Sequence, residues 1–162
     1  MKIIEATIED IPVIYDLANR IWKVHYPAII SMEQIDYMLE KMYSKAALEE
    51  QLNTGHRFFI LTTDEHPAGY LSYSHNGEGA YFLHKLYVDT GYHQKGMGRY
   101  LLNEVFDKIP TIKTLRLTVN RKNYTAINFY FKMGFIIEEV KDFDIGNGYE
   151  MNDFVMLKNY TS

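Results

Sequence analysis

Cysteine is absent from the 162-residue chain, which excludes disulfides, thiolate metal ligands and a cysteine nucleophile, and suits a reducing compartment. No apolar run is long enough for a membrane span or a signal peptide, and the N-terminal segment carries Glu5, Glu9 and Asp10. A cytoplasmic protein with no membrane partner is therefore expected. An excess of positive charge is missing too. The formal net charge of −4 argues against a nucleic-acid partner, because neutralising phosphates needs clustered Lys and Arg. The six histidines show no HxH or HExxH spacing. Residues 142–153 fail as a calcium loop, since Asn147 stands where glycine is required and Asp153 replaces the terminal Glu. No metal is expected.

What is present is a chain of single-domain length without linker, repeat or low-complexity segment, read as one domain over residues 1–162. Residues 1–6 read as a strand, and Thr7 caps a helix whose apolar residues Ile11, Ile14, Tyr15, Leu17, Ala18, Ile21 and Trp22 recur at helical spacing. Ser31 with Gln34, and then Ser44, open two more helices. Strands are expected over 57–63 and 68–74 around a 64–67 turn, then over 80–88. A helix from Met97, with an apolar face reaching Ile109 and stopped by Pro110, leads to a strand over 114–119. A helix over 124–133 ends at Gly134, and strands over 135–140 and 151–158 close the chain, with Asn147-Gly148 as hairpin-turn residues. The fold class is α/β (α+β), and residues 80–119 should form a right-handed parallel strand–helix–strand crossover.

The stretch over residues 82–102, FLHKLYVDTGYHQKGMGRYLL, organises the rest. A strand feeds a loop containing Gly96 and Gly98 that opens directly into a helix. Glycine lets backbone N–H groups approach a ligand, and a helix N-terminus carries partial positive charge that suits phosphate. A dinucleotide fingerprint fails because Leu101 stands where the third glycine belongs, and a Walker loop fails because Met97-Gly98 follows its second glycine. His93-Gln94-Lys95-Gly96-Met97-Gly98 instead resembles the acetyl-CoA loop of the GCN5-related N-acetyltransferases, Gln/Arg-x-x-Gly-x-Gly/Ala, with His93 in place of the usual Gln or Arg. Downstream, residues 123–135, NYTAINFYFKMGF, resemble the same family's Asn-x-x-Ala-x-x-x-Tyr-x-x-x-Gly-Phe segment with every anchor in place. Asn123 and Tyr130 lie two helical turns apart, so both can face one ligand.

The resemblance implies the GNAT acyl-CoA N-acyltransferase fold, a mixed central sheet with helices on both faces. It implies acetyl-CoA as co-substrate and acetyl transfer to a primary amine by direct attack. Cofactor contacts are then expected from Leu86, Tyr87 and Val88 of the strand, from His93, Gln94, Lys95, Gly96, Met97, Gly98 and Arg99 of the loop, and from Asn120, Asn123, Tyr130 and Lys132. Tyr130 would assist the departing thiolate.

Where many members carry Glu on the central strand, this chain has Phe82 and His84, and His84 is the candidate for relaying the amine's proton. The acceptor site is expected from the N-terminal helices and the last hairpin. Trp22, Tyr26, Glu33, Phe82 and His84 are its candidate residues, an aromatic and acidic set that suits a cationic amine. Residues 22–42 and 152–156 are diffusely similar to PaiA-like spermidine and spermine N-acetyltransferases, so a small-molecule amine is the expected partner, and a homodimer stays open. The alternatives are a protein N-terminal or lysine acetyltransferase and, from another class, a non-catalytic acyl-CoA sensor. Retention of Tyr130 argues against the sensor.

Overall fold

The structure is a computed structural model and describes residues 1–92 and 96–160. Among them are seven strands and five α-helices: β1 (Lys2–Glu5), α1 (Ile11–His25), α2 (Met32–Tyr43), α3 (Lys45–Asn53), β2 (Arg57–Thr63), β3 (His66–His75), β4 (Ala80–Val88), α4 (Met97–Phe106), β5 (Thr114–Asn120), α5 (Tyr124–Lys132), β6 (Ile136–Gly146) and β7 (Tyr149–Asn159). The strands order as β1-β2-β3-β4-β5-β7-β6 in one mixed sheet, the class expected from the sequence. By contacts the chain forms two compact units, Met1–Ser74 with Lys85–Lys108, and His75–His84 with Ile109–Ser162, so β4 passes from one to the other.

In the first unit, Thr7 and Asp10 form a reciprocal capping box that opens a 3-10 turn, and Pro12 occupies the first turn of α1. α1 buries the expected stripe except Tyr15, which is exposed, with Ile14, Leu17, Ala18 and Trp22 almost fully enclosed. Ser31 and Ser44 cap α2 and α3 by accepting from the N–H groups of Gln34 and Ala47. β2 and β3 pair antiparallel around Asp64 and Glu65, which both take positive φ, so His66 and Pro67 belong to the strand and not to the turn.

In the second unit, β4 and β5 run parallel, from Ala80↔Thr114 to Leu83↔Leu117, as the crossover reading requires. β5 continues antiparallel to β7, and β7 to β6. Three boundaries differ from expectation. α4 stops at Phe106, with Asp107 as its C-cap, because the chain turns before Ile109 and that residue's apolar character is not helical periodicity. β6 runs on to Gly146, and β7 begins at Tyr149. The extra β6 residues do alternate, with Phe143 and Ile145 half-buried between exposed Asp142, Asp144 and Gly146, but the run is short and acid-rich and reads as loop. Asn147 and Gly148 do form the turn, at φ 54° and 79°.

Candidate functional site

β4 ends at Val88 and its loop leads into α4, so the glycine loop sits at a strand's carboxyl end, where α/β sheets receive ligands. His93, Gln94 and Lys95 lie outside the described residues. Gly96 is the N-cap of α4 at φ 79°, a left-handed conformation that favours glycine, and no side chain caps the helix. The first turn of α4 contains no acid to offset the positive end of the helix, and Arg99 is exposed beside it. A helix start without a side-chain cap or a first-turn acid, with a nearby guanidinium, fits an anionic phosphate ligand. Met97 is buried and anchors the helix start; Gly98 is half-buried.

Two features the motif did not contain hold this region. Gly69 of β3 lies so close to the end of β4 that a Cβ would meet the Tyr87 carbonyl oxygen at 2.8 Å and the Val88 side chain at 3.0 Å. Asp89 then starts the loop: one carboxylate oxygen accepts from Arg20 Nε of α1 and the other from the Gly91 N–H, each at 2.8 Å. Leu86, Tyr87 and Val88 are each half-buried.

On α1 and just after it, Trp22 and Tyr26 lie in tilted contact, 4.5 Å between ring centroids. Trp22 is 1% exposed and donates its indole N–H to the Tyr70 hydroxyl at 3.2 Å, and Tyr70 pairs with the Tyr43 hydroxyl at 2.7 Å. Burial, above all, drives the Tyr43 and Tyr70 hydroxyls well above the ordinary tyrosine range. Tyr26 is partly exposed, and its hydroxyl shares a 2.8 Å hydrogen bond with that of Tyr87. The structure thus brings an expected acceptor residue against an expected cofactor residue within one unit. Glu33 is exposed in the first turn of α2. Beneath β4, Lys85 is 5% exposed, and its Nζ donates to the Gln51 side-chain oxygen at 2.8 Å.

In the second unit, Phe82 and His84 stand on one face of β4 with ring centroids 4.8 Å apart. Asn120 ends β5, and its side-chain oxygen accepts the Lys122 N–H at 2.9 Å. Asn123 is the buried N-cap of α5 and accepts from the Ala126 N–H at 3.3 Å. Tyr130 is 8% exposed and meets Phe129 and Phe135 edge-on, at 5.3 and 5.4 Å. Gly134 follows α5 at φ 97°, and Lys132 is exposed. The segment 123–135 is therefore also a self-consistent capped helix.

Sequence reasoning overlooked Gly69, Asp89, Arg20 and Lys85. A strand glycine flanked by apolar residues was the available signal for Gly69. Arg20 and Asp89 are 69 positions apart and carry no local signal. Among the described residues no group of three or more His, Asp or Glu is placed to hold a metal ion, and no helix is long and apolar enough to cross a membrane.

The sequence profile of the Acetyltransferase (GNAT) domain matches residues 28–154. The spermidine N(1)-acetyltransferase of Thermoplasma acidophilum is 30% identical, over 100% of this chain and 99% of that protein. An uncharacterized N-acetyltransferase of Mycobacterium bovis is 33% identical, covering 88% of this chain and 92% of that protein. The crystal structure of the PaiA N-acetyltransferase from Thermoplasma acidophilum in complex with coenzyme A superposes with a TM-score of 0.80 at 30% identity, over 98% of each chain.

Proposed function

The chain belongs to the GNAT acetyltransferases and is an acetyl-CoA-dependent N-acetyltransferase, and from that premise we propose that its acceptor is a small cationic amine, a polyamine or diamine. The observation that carries this reading is the end-to-end similarity to a spermidine N(1)-acetyltransferase. The formal net charge of −4 and the partly exposed aromatic residues Tyr26 and Phe82 support it.

When bound, acetyl-CoA supplies a thioester carbonyl open to attack by a neutral amine. Backbone N–H groups at residues 86–88 are the donors assigned to its oxygen, held in place by the close passage of Gly69. Tyr130 is assigned to the departing sulfur. A thiol near pKa 8.5 is a weaker base than a phenolate near 10, so complete proton transfer from Tyr130 is uphill by about 2 kcal/mol. A hydrogen bond that strengthens as sulfur gains charge lowers the barrier without complete transfer. His84, beside Phe82, is assigned to pass the amine's proton to solvent.

A free-thiol release assay with acetyl-CoA, run against spermidine, spermine, short diamines, an aminoglycoside and peptides, tests the proposal. Fastest turnover is expected on spermidine or a diamine. Fastest turnover on a peptide moves the assignment to a protein acetyltransferase, and acetyl-CoA binding without turnover on any amine moves it to a sensor.

A further inference from the structure

Asp153 of β7 is 1% exposed, and among the described residues no basic side chain pairs with its carboxylate; the Thr118 hydroxyl is the one donor group that acts on it, outside good hydrogen-bond geometry. A buried carboxylate in that condition destabilises the fold unless a cation or donor joins it. Its setting is defined by the strand registers. Asp153 pairs with Asn120 of β5 on one side and with Lys141 of β6 on the other. Paired residues share a sheet face and alternate residues return to it, so Thr118 and Asn120 lie on the Asp153 face. Phe82 pairs with Arg116, which places Phe82 and His84 on that face as well.

The charges around Asp153 are engaged elsewhere. Arg121 donates to the Asp153 main-chain carbonyl at 3.2 Å and to the Asp142 carboxylate at 2.9 Å. Lys141 places its Nζ 5.3 Å from the Phe143 ring centre. Burial pushes the Asp153 carboxyl up to about 6, with the Arg121 charge and the Thr118 hydroxyl acting downward and the Asp142 charge upward. At pH 7 and above it is largely ionised.

We propose that the Asp153 carboxylate holds a non-reacting ammonium group of the acceptor and thereby selects diamines and polyamines over monoamines. The proposal rests on the amine acceptor argued above. Chemistry separates the two nitrogens of such a substrate. A carboxylate against the reacting nitrogen stabilises its ammonium form, typically by 1–3 pK units, and so opposes attack. The same carboxylate under a distant nitrogen gains a charge-assisted hydrogen bond at no cost to nucleophilicity. Because the carboxylate is enclosed, an ammonium reaches it only as neighbouring side chains yield, so occupancy is tied to acceptor entry.

The test compares spermidine with hexylamine, which has one ammonium, in wild type and Asp153→Asn. The ratio of kcat/KM for spermidine over hexylamine is expected to fall at least tenfold in the variant, through KM for spermidine, with KM for acetyl-CoA within twofold of wild type. Asn has the same shape and removes the isolated charge, so the variant is expected to melt at or above wild type. Independently, in wild type, kcat/KM for spermidine should fall along an acid limb near pH 6 that hexylamine lacks. An unchanged ratio with spermidine still turned over overturns the Asp153 assignment and leaves the polyamine reading standing. A wild type that acetylates neither amine overturns both. Should Asp153→Asn not fold, identical acid limbs for the two amines overturn the assignment.

Discussion

Lys85 Nζ donates to the Gln51 side-chain oxygen at 2.8 Å, inside β4 and almost wholly out of water, with the Tyr43 and Phe58 ring centres 5.3 and 5.4 Å away. Burial lowers its ammonium from 10.5 to about 8. Because the folded value is depressed, the charged form costs stability: that cost is absent above pH 10.5, grows as pH falls toward 8, and is constant below. At full extent it is about 3 kcal/mol, which the ring faces and the Gln51 hydrogen bond partly offset. Urea unfolding of wild type and Lys85→Met should therefore show the difference moving in favour of Lys85 by up to about 3 kcal/mol between pH 8 and 10.5. A pH-independent difference would show that Lys85 is solvated or paired in solution.

Gly69→Ala should disturb the donor side of the site more than its one added methyl suggests. The new Cβ would sit 2.8 Å from the Tyr87 carbonyl oxygen, so backbone must shift. Overpacking of this kind costs about 1–3 kcal/mol. A fall in Tm together with a severalfold rise in KM for acetyl-CoA is expected. A fall in Tm with unchanged KM would separate Gly69 from the ligand.

Asp89→Ala is expected to act in the opposite proportion. Its ion pair with Arg20 is partly exposed and contributes about 1 kcal/mol or less, so Tm should shift by roughly 2–4 °C at most. The larger effect should be on KM for acetyl-CoA, because the Asp89 carboxylate also fixes the first turn of the loop through the Gly91 N–H. Wild-type KM in the variant would remove Asp89 from loop positioning.

Much of the architecture was legible because local chemistry and periodicity agreed. Ser31 and Ser44 cap their helices as read, Thr7 caps the 3-10 turn that leads into α1, and Gly96 and Gly134 take the left-handed conformations that their places at helix ends imply. The family segments were legible for the same reason, since Asn123 and Gly134 bound a single short helix. What escaped depends on contacts between distant positions. A strand lysine reads as a solvated residue until the burial of Lys85 is seen. Asp153 sat in a segment whose acids resembled a failed calcium loop, and only the β5–β7 register places it beside Asn120. The length of β6 was missed because its first seven residues are all exposed and the alternation of Phe143 and Ile145 lies among acids beside the Gly146-Asn147-Gly148 turn residues.

The proposed reaction is acetyl transfer from acetyl-CoA to a polyamine with Tyr130 at the leaving sulfur. The most direct measurement is mass spectrometry of spermidine incubated with acetyl-CoA and either wild type or Tyr130→Phe, with acetyl-CoA binding measured in parallel. Monoacetylated spermidine is predicted with wild type, and the variant should form it about 10²-fold more slowly or worse while binding acetyl-CoA near wild type. Equal product from both proteins would contradict the role of Tyr130, and no acetylated amine from a wild type that binds acetyl-CoA would contradict the acceptor.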